Sequence, residues 1–489
     1  MTTQLLATGW RKYGWLTAGA VLGMFALHSE WSIPVAGWLF AICLMRFTRG
    51  TGVLAGFGCV FLSSAAATIT FLAAANRLDA WPILAGCLAM SLILDLPLLA
   101  DRLLFRRFNP FLGTLVFPVC RVAAEFLIAV VSPFGTIFGP LATTQSSSLP
   151  VLQLASVTGI YGISFLMAWL APIANLALER RSFRTVTVVY AAVLGVVLLG
   201  GGVRLAAAPT ADNLVRVAGI SPSKAAKERQ RQIDNFHTPE LRPEQKPVLR
   251  KAFAIVNDDL FARTRVEADA GAKIVAWPEA GALVLHDDYA DFLTKAGQLA
   301  SEKHIYLDTG IAVVLDGQPD LRDLAVLVGP DGRVLSTFDK AHPVPGLENF
   351  PAGDGIVPVT ATPYGRLANV VCYDADFPGT LRTRADIMFV PANDWNGIEH
   401  THSENAVFRA VENGYTVFRQ TSNGIAITVD PYGGQLGRTN YFSAPQQTMV
   451  AYVPMTGTWT VYGIVGDLFA WLCVAGMLVL TGVAVSRRV

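Results

Sequence analysis

The sequence predicts eight membrane-spanning helices bundled together and carrying one α/β domain outside the membrane. Three observations lead there. Of 489 residues, 52% are hydrophobic and only 15% are charged, well below the roughly 25% charged typical of soluble domains. Eight apolar stretches approach the ~20 residues that a bilayer crossing requires. Seven of them precede residue 206 and one follows residue 461, while the intervening 207–461 carries most of the charge. The expected organisation is therefore 1–206 (seven spans), 207–461 (outer domain) and 462–489 (eighth span and C-terminal end).

The spans read as about 13–28, 32–47, 52–74, 80–100, 111–131, 154–178, 185–206 and 462–485. Loop charge sets their orientation, because cytoplasmic loops collect Lys and Arg. Arg11 and Lys12 precede the first span. Arg46 and Arg49 follow the second, and Arg102, Arg106 and Arg107 follow the fourth. Arg180, Arg181 and Arg184 follow the sixth, and Arg487 and Arg488 the eighth. The opposite loops are nearly free of basic residues, so both termini are expected in the cytoplasm and 207–461 on the outer face. The formal net charge of +1 gives no electrostatic case for a nucleic-acid partner. Inside the fifth span, Arg121 and Glu125 stand four residues apart and can pair on one helical face. Intramembrane charge is costly, so the pair is either a functional site or a structural staple of the bundle.

In the outer domain, short apolar runs at 214–220, 273–277, 305–313, 323–328, 367–373, 386–391 and 415–420 read as buried strands. Helix-period stretches at 244–270, 288–303 and 401–413 lie among them. That alternation predicts an α/β layered domain. GPDGR at 329–333 predicts a hairpin turn, with Asp-Gly supplying positive φ.

Three places in this domain suit chemistry. Glu279 follows a strand end in WPEAG, Lys340 follows another in FDKAHPVPGLE, and Cys372 ends LANVVCYD. Of six cysteines, Cys372 alone lies outside the long apolar segments, and no CxxC framework accompanies it. Side chains at strand ends of α/β sheets tend to converge. A thiol of ordinary pKa ~8.5 is a modest nucleophile at neutral pH. A carboxylate can take its proton, and a lysine can hold an oxyanion. The N–H groups of Tyr373 and Asp374, just past the cysteine, could join that hole. Glu, Lys and Cys thus form a sufficient set for acyl transfer through a thioester, with no metal or soluble cofactor.

The order WPE, DK, CYD resembles the Glu-Lys-Cys triad of the nitrilase (carbon–nitrogen hydrolase) superfamily. PANDW at 391–395, RAVENGYTVFRQTSNGIA at 409–426 and the DPYGG that follows add to the likeness. With eight spans, and with VLQLASVTGIYGISFL at 151–166, the chain is similar to the apolipoprotein N-acyltransferase family. The resemblance implies an αββα nitrilase-like sandwich on the outer face of the inner (cytoplasmic) membrane of a bacterium. It implies Glu279 as general base, Lys340 as oxyanion stabiliser, Cys372 as nucleophile, and Glu348, Tyr373 and Asp374 in support. The implied partners are a phospholipid acyl donor and a diacylglyceryl apolipoprotein acceptor; because one chain carries the whole catalytic set, a monomer is expected.

The chain departs from the family in three places. Asp374 stands where Glu is usual, GISPS at 219–223 replaces a Gln-Gly-Asn-like turn, and SPFGTIFG at 132–139 carries phenylalanine in place of tryptophan. His342 and Trp395 are candidate lid or substrate contacts. His400 and His402 read as surface or helix-start residues without a partner carboxylate, and Arg409 and Glu412 as an i,i+3 pair. Two further readings stay open at this point: a membrane-anchored amidase, in which water replaces the amine, and a transporter or assembly factor whose outer domain only binds.

Overall fold

The computed structural model describes residues 10–27, 31–74, 78, 81–137, 140–179, 184–209, 213–233, 243–317, 321–444 and 447–486. Arg180, Arg181, Arg487 and Arg488, used above for orientation, lie outside the described residues. The chain divides into two compact units, Met1–Ala208 with Ile464–Val489, and Pro209–Gly463.

The first unit contains the helices Arg11–Leu27, Pro34–Arg49, Val53–Ala74, Trp81–Leu104, Pro110–Val131, Ile160–Leu178, Arg184–Ala206 and Leu468–Ser486. Six of them, all but the first two, are long and apolar enough to cross a membrane. The first two have 17 and 16 residues, at the short limit for a hydrocarbon core of ~30 Å. The stretch expected at 154–178 is broken: two single turns, Leu149–Leu152 and Ala155–Thr158, precede the helix that starts at Ile160. Gly159, at φ 66, makes the break, a conformation that favours glycine.

Arg121 and Glu125 do pair, Nε to Oε1 at 2.7 Å, and both side chains are buried. Arg121 also donates to the Leu94 carbonyl of a neighbouring helix, and Glu125 accepts from the Leu141 N–H. The pair therefore ties three segments together. Arg49 similarly grips Asp101 with two bonds of 2.8 Å, so part of the basic charge at this end is internally balanced.

The second unit is two stacked sheets between helices. Its strands are β1 Leu214–Ile220, β2 Ile274–Ala276, β3 Ala282–Leu285, β4 Tyr306–Val314, β5 Leu321–Val328, β6 Val334–Asp339 and β7 Val359–Thr362. They continue as β8 Gly365–Asn369, β9 Ile387–Ala392, β10 Thr416–Thr421, β11 Ile425–Val429, β12 Gln435–Asn440 and β13 Thr448–Pro454. One sheet runs β13-β1-β2-β4-β5-β6, with β3 also paired to β4; the other runs β12-β11-β10-β9-β8-β7. The inner faces pack through Val217, Ile274, Leu327, Phe389, Phe418 and Met449, among others. The outer face of the first sheet packs on the helices Lys246–Asp269 and Tyr289–Lys303 through Leu260, Trp277, Phe292 and Leu299. The helix Glu399–Asn413 covers the second sheet at β10 and β11. The layers are αββα, the sandwich implied by the resemblance.

Near-continuous apolar runs explain the strands that the sequence exposes, because most of their residues are buried on both faces of the sheet. The hairpin forms as expected: the Gly329 N–H donates to the Arg333 carbonyl and Gly332 sits at φ 80. β6 is the strand expected between the hairpin turn and Lys340, whereas β3, β7 and β11–β13 are additional to the strands that the sequence exposes. They are fixed by pairing with neighbours, as in the full antiparallel register of β1 with β13.

Candidate active site

Glu279 is placed by the turn between β2 and β3. The Trp277 indole N–H donates to Thr264 at 2.9 Å, which anchors the strand end. Pro278 stops the strand, the Gly281 N–H closes the turn onto the Pro278 carbonyl, and Ala280 takes a left-handed φ of 46. The turn lies directly on Gly310 of β4, where a Cβ would collide with the Pro278 carbonyl. Glycine is what allows this close approach.

Lys340 follows β6 immediately. Its N–H donates to the Asp323 carbonyl of β5 at 3.0 Å, which holds it in sheet register. Its ammonium, 1% exposed, donates to Glu279 at 2.6 Å and to Glu348 at 2.7 Å, and lies 3.6 Å from Asp323. Glu348 is held in turn by the Val344 N–H at 2.7 Å. Two of the three ammonium protons are thus engaged and one is left for another acceptor.

Cys372 departs from the expected strand-end position. β8 stops at Asn369, and Cys372 opens a 3₁₀ turn, Cys372–Asp376, with φ 45. A left-handed non-glycine residue costs ~1–2 kcal/mol. That strain lifts the thiol out of the ladder, where it interacts electrostatically with Glu279 and Lys340. The three sequence-predicted residues are therefore gathered in one buried cluster. The Asp374 N–H, however, is committed to the Val371 carbonyl at 2.9 Å, which corrects its expected part in an oxyanion hole. The Asp374 side chain is instead a brace. Its carboxylate accepts from the N–H groups of Ala341 (3.1 Å), His342 (2.9 Å) and Val371 (3.3 Å), and lies 2.7 Å from His342 Nδ1. His342 stacks on Phe377 with centroids 3.7 Å apart, and Tyr373 meets the same ring edge-on. Trp395 is half-buried in the loop after β9.

A second group that the sequence reading missed flanks the thiol. His402, expected near the surface, lies at the start of its helix but is buried, 6% exposed. Its ring nitrogens face Asp394 at 3.1 Å and Asp376 at 3.5 Å. Arg419 of β10 grips both Asp394 oxygens, at 3.0 and 2.6 Å, and Asn405 holds Asp376. Gly424, at φ 116, leaves the room Asp394 needs. Cys372, Asp394 and His402 bring their ligand-type atoms within 4.8 Å of one another. The partners come from four separate segments, so no spacing in the sequence announces them. Arg409 and Glu412 form the expected i,i+3 pair, at 2.8 Å and buried.

Charge follows from this geometry. Burial, reinforced by Glu279, pushes the Cys372 thiol well above its ordinary value, so at rest it carries its proton. Burial pulls Lys340 down, but Glu279, Asp323, Cys372 and Glu348 together raise it well above the usual lysine range. Burial lifts Glu348 too, against the pull of Lys340. On the other flank, burial raises Asp394, but Arg419 and His402 outweigh it and hold the carboxyl below its usual range. Glu279, Asp323 and Glu348, like Cys372, Asp394 and His402, have spacing a metal ion could use. Each set already encloses a cationic side chain, Lys340 in one and Arg419 in the other. The arrangement is that of a protonated thiol beside a carboxylate paired with an ammonium, not of a thiolate ready at rest.

Both parts of the chain are similar to known proteins. A family described as carbon–nitrogen hydrolase matches residues 240–451, the span holding Glu279, Lys340, Glu348 and Cys372. A second, described as the apolipoprotein N-acyltransferase N-terminal domain, matches 16–173. The chain is 28% identical over 411 residues to a Geobacter metallireducens protein named apolipoprotein N-acyltransferase, covering 76% of this chain and 74% of that one. A Bradyrhizobium diazoefficiens protein of the same name is 28% identical over 384 residues, with 70% and 68% covered. Among solved structures, an amidase from Nesterenkonia sp. aligns with TM-score 0.38 and 20% identity, over 50% of this chain and 91% of that one. The second unit carries a carbon–nitrogen hydrolase domain. With the helical N-terminal match and the relatives' names, the chain is similar to the apolipoprotein N-acyltransferase family in both of its parts.

Proposed function

We propose that this protein transfers an acyl chain from a phospholipid to the α-amine of a diacylglyceryl-cysteine at the N-terminus of apolipoproteins, through a thioester on Cys372. The observation that carries the reading is the buried Glu279–Lys340 pair beside a protonated Cys372, in a hydrolase domain joined to apolar helices. Lipoprotein N-acylation and an acyltransferase activity are also what the relatives' names give.

Glu279 takes the thiol proton as the sulfur attacks the ester carbonyl. The remaining Lys340 N–H stabilises the oxyanion, an interaction that typically contributes ~10²–10³ in rate. Collapse expels the lysophospholipid alkoxide, which takes the proton from Glu279, and leaves the thioester. The acceptor amine then attacks the thioester carbon, Glu279 accepts a proton from the nitrogen, and the released thiolate takes it back. Glu348 and Asp374 hold the lysine loop, Tyr373 backs the nucleophile's turn, and His342 and Trp395 border the route for substrate.

In the same reading all eight helices cross the inner membrane. Both termini are cytoplasmic, residues 207–461 face the periplasm, and the enzyme works as a monomer. The basic Arg11, Lys12, Arg46, Arg49, Arg102, Arg106 and Arg107 support that orientation.

Intact mass spectrometry of the protein mixed with phospholipid tests the reading. Wild type should gain an acyl mass that hydroxylamine removes, and Cys372→Ala should not. No adduct on a folded protein whose Cys372 still reacts with iodoacetamide would sink phospholipid as donor and favour amide hydrolysis.

A further inference from the structure

Asp323 has no role in the chemistry above, yet it belongs to the same buried cluster. It lies on β5, 5% exposed, and its carboxylate oxygens come within 4.8 Å of those of Glu279 and Glu348. Three carboxyl groups thus surround one ammonium. Fully ionised, they would leave a net charge of −2 beside a thiol that must itself become an anion. Carboxylates sharing one desolvated site do not all ionise; one keeps its proton.

Hydrogen bonding identifies which one. Glu279 accepts from Lys340 at 2.6 Å, and Glu348 has donors on both oxygens, Lys340 and the Val344 N–H. The Asp323 Oδ2 is 3.6 Å from the ammonium, beyond hydrogen-bond reach, and its buried Oδ1 has no donor among the described residues. Asp323 and Glu279 each offer a carboxyl oxygen within 4.8 Å of the other, so Glu279 is at hand to accept a hydrogen bond from Asp323. Between two carboxyl groups such a bond requires a proton. Burial first, and then Glu279, raise Asp323 well above the ordinary carboxylate range, in agreement with this count.

We propose that Asp323 holds a proton in the resting enzyme and donates it in a hydrogen bond to Glu279, acting as a positioning residue that keeps the base ionised, oriented and tolerable beside Cys372. The inference rests on the triad reading above. As pH rises and Asp323 loses that proton, Glu279 loses its donor. A further negative charge then opposes the Cys372 thiolate and the Glu279 carboxylate. The charged groups facing Asp323 are Glu279 from the β2–β3 turn, and Lys340 and Glu348 from the loop after β6, with Arg322 and Asp339 paired to each other at the exposed strand edge. Thioester formation should therefore fall on the alkaline side for a reason that Asn at this position removes.

The test is Asp323→Asn in the full-length protein in micelles of detergent and dioleoyl phosphatidylethanolamine. Asn mimics the shape and donor of a neutral Asp. The variant should fold, form the thioester less than tenfold more slowly than wild type at neutral pH, and lose the alkaline decline. The infrared difference spectrum, wild type minus variant at neutral pH, should contain a protonated-carboxyl stretch. A variant that does not fold, a loss above a hundredfold, an unchanged alkaline limb, or carboxylate bands alone would each overturn the proposal. The spectrum needs no substrate, so it stands even if phospholipid is not the donor, a failure that wild type would reveal by forming no adduct.

Discussion

Replacing Asp374 by Ala should couple a loss of stability to a loss of chemistry. The wild-type carboxylate, fully buried, ties the Ala341 and His342 N–H groups of the lysine loop to the turn that carries Cys372. It also accepts the N–H of Val371, which is itself fully buried. An orphaned buried donor costs ~1–3 kcal/mol, and water relieves that cost where it can reach. Water cannot reach Val371, whereas Ala341 and His342 are half-buried. About 2 kcal/mol for the first and about 0.5 for each of the others gives a loss of about 3 kcal/mol. For a domain of this size each kcal/mol lowers the midpoint by ~2–4 °C, so the fall should be about 8 °C. Misplacing reacting groups by ~1 Å costs ~10² in rate, and thioester formation should drop at least that far. Thermal scans by tryptophan fluorescence and single-turnover mass spectrometry read the two effects. A midpoint within 2 °C of wild type (about a quarter of the expected fall) with a rate within about threefold would refute the bracing role. Asp374→Glu is not a restoration, because an added methylene in a filled site costs ~1–3 kcal/mol.

Two further outcomes follow from the other buried charges. Burial lowers His402, but Asp376 and Asp394 outweigh it and raise its folded pKa above the ordinary histidine value. The stabilisation from its proton is therefore complete below about pH 6.5, the unfolded value, and is lost as pH climbs through the folded one. Midpoints of wild type and His402→Asn should differ most in mild acid and converge in base; a pH-independent gap would contradict the ion-pair geometry. In the helical unit, Arg121→Met alone strands Glu125 and should cost ~3–5 kcal/mol, whereas Arg121→Met with Glu125→Leu should recover most of it. Thermal aggregation in detergent ranks the three proteins, and a double variant as unstable as the single would rule out a simple staple.

The sequence by itself determined the two-part architecture, because apolar length is a local property: about twenty residues announce a crossing without any neighbour. It also exposed Glu279, Lys340 and Cys372, each at the end of an apolar run that reads as a strand, and the Arg121–Glu125 pair, whose spacing of four is itself local. Only tertiary structure decided the rest. Asp323 begins an unremarkable strand and enters the cluster because β5 and β6 pair in one register. His402, Asp394, Asp376 and Arg419 sit on a helix, a loop, a turn and a strand, and they meet because two sheets stack and a helix covers one of them. Asp374 looks like a shortened acid in the sequence; in the fold its length suits the N–H groups that it holds. Charge balance in a buried site is a sum over every group that the fold brings within a few ångströms, and no stretch of sequence contains that sum.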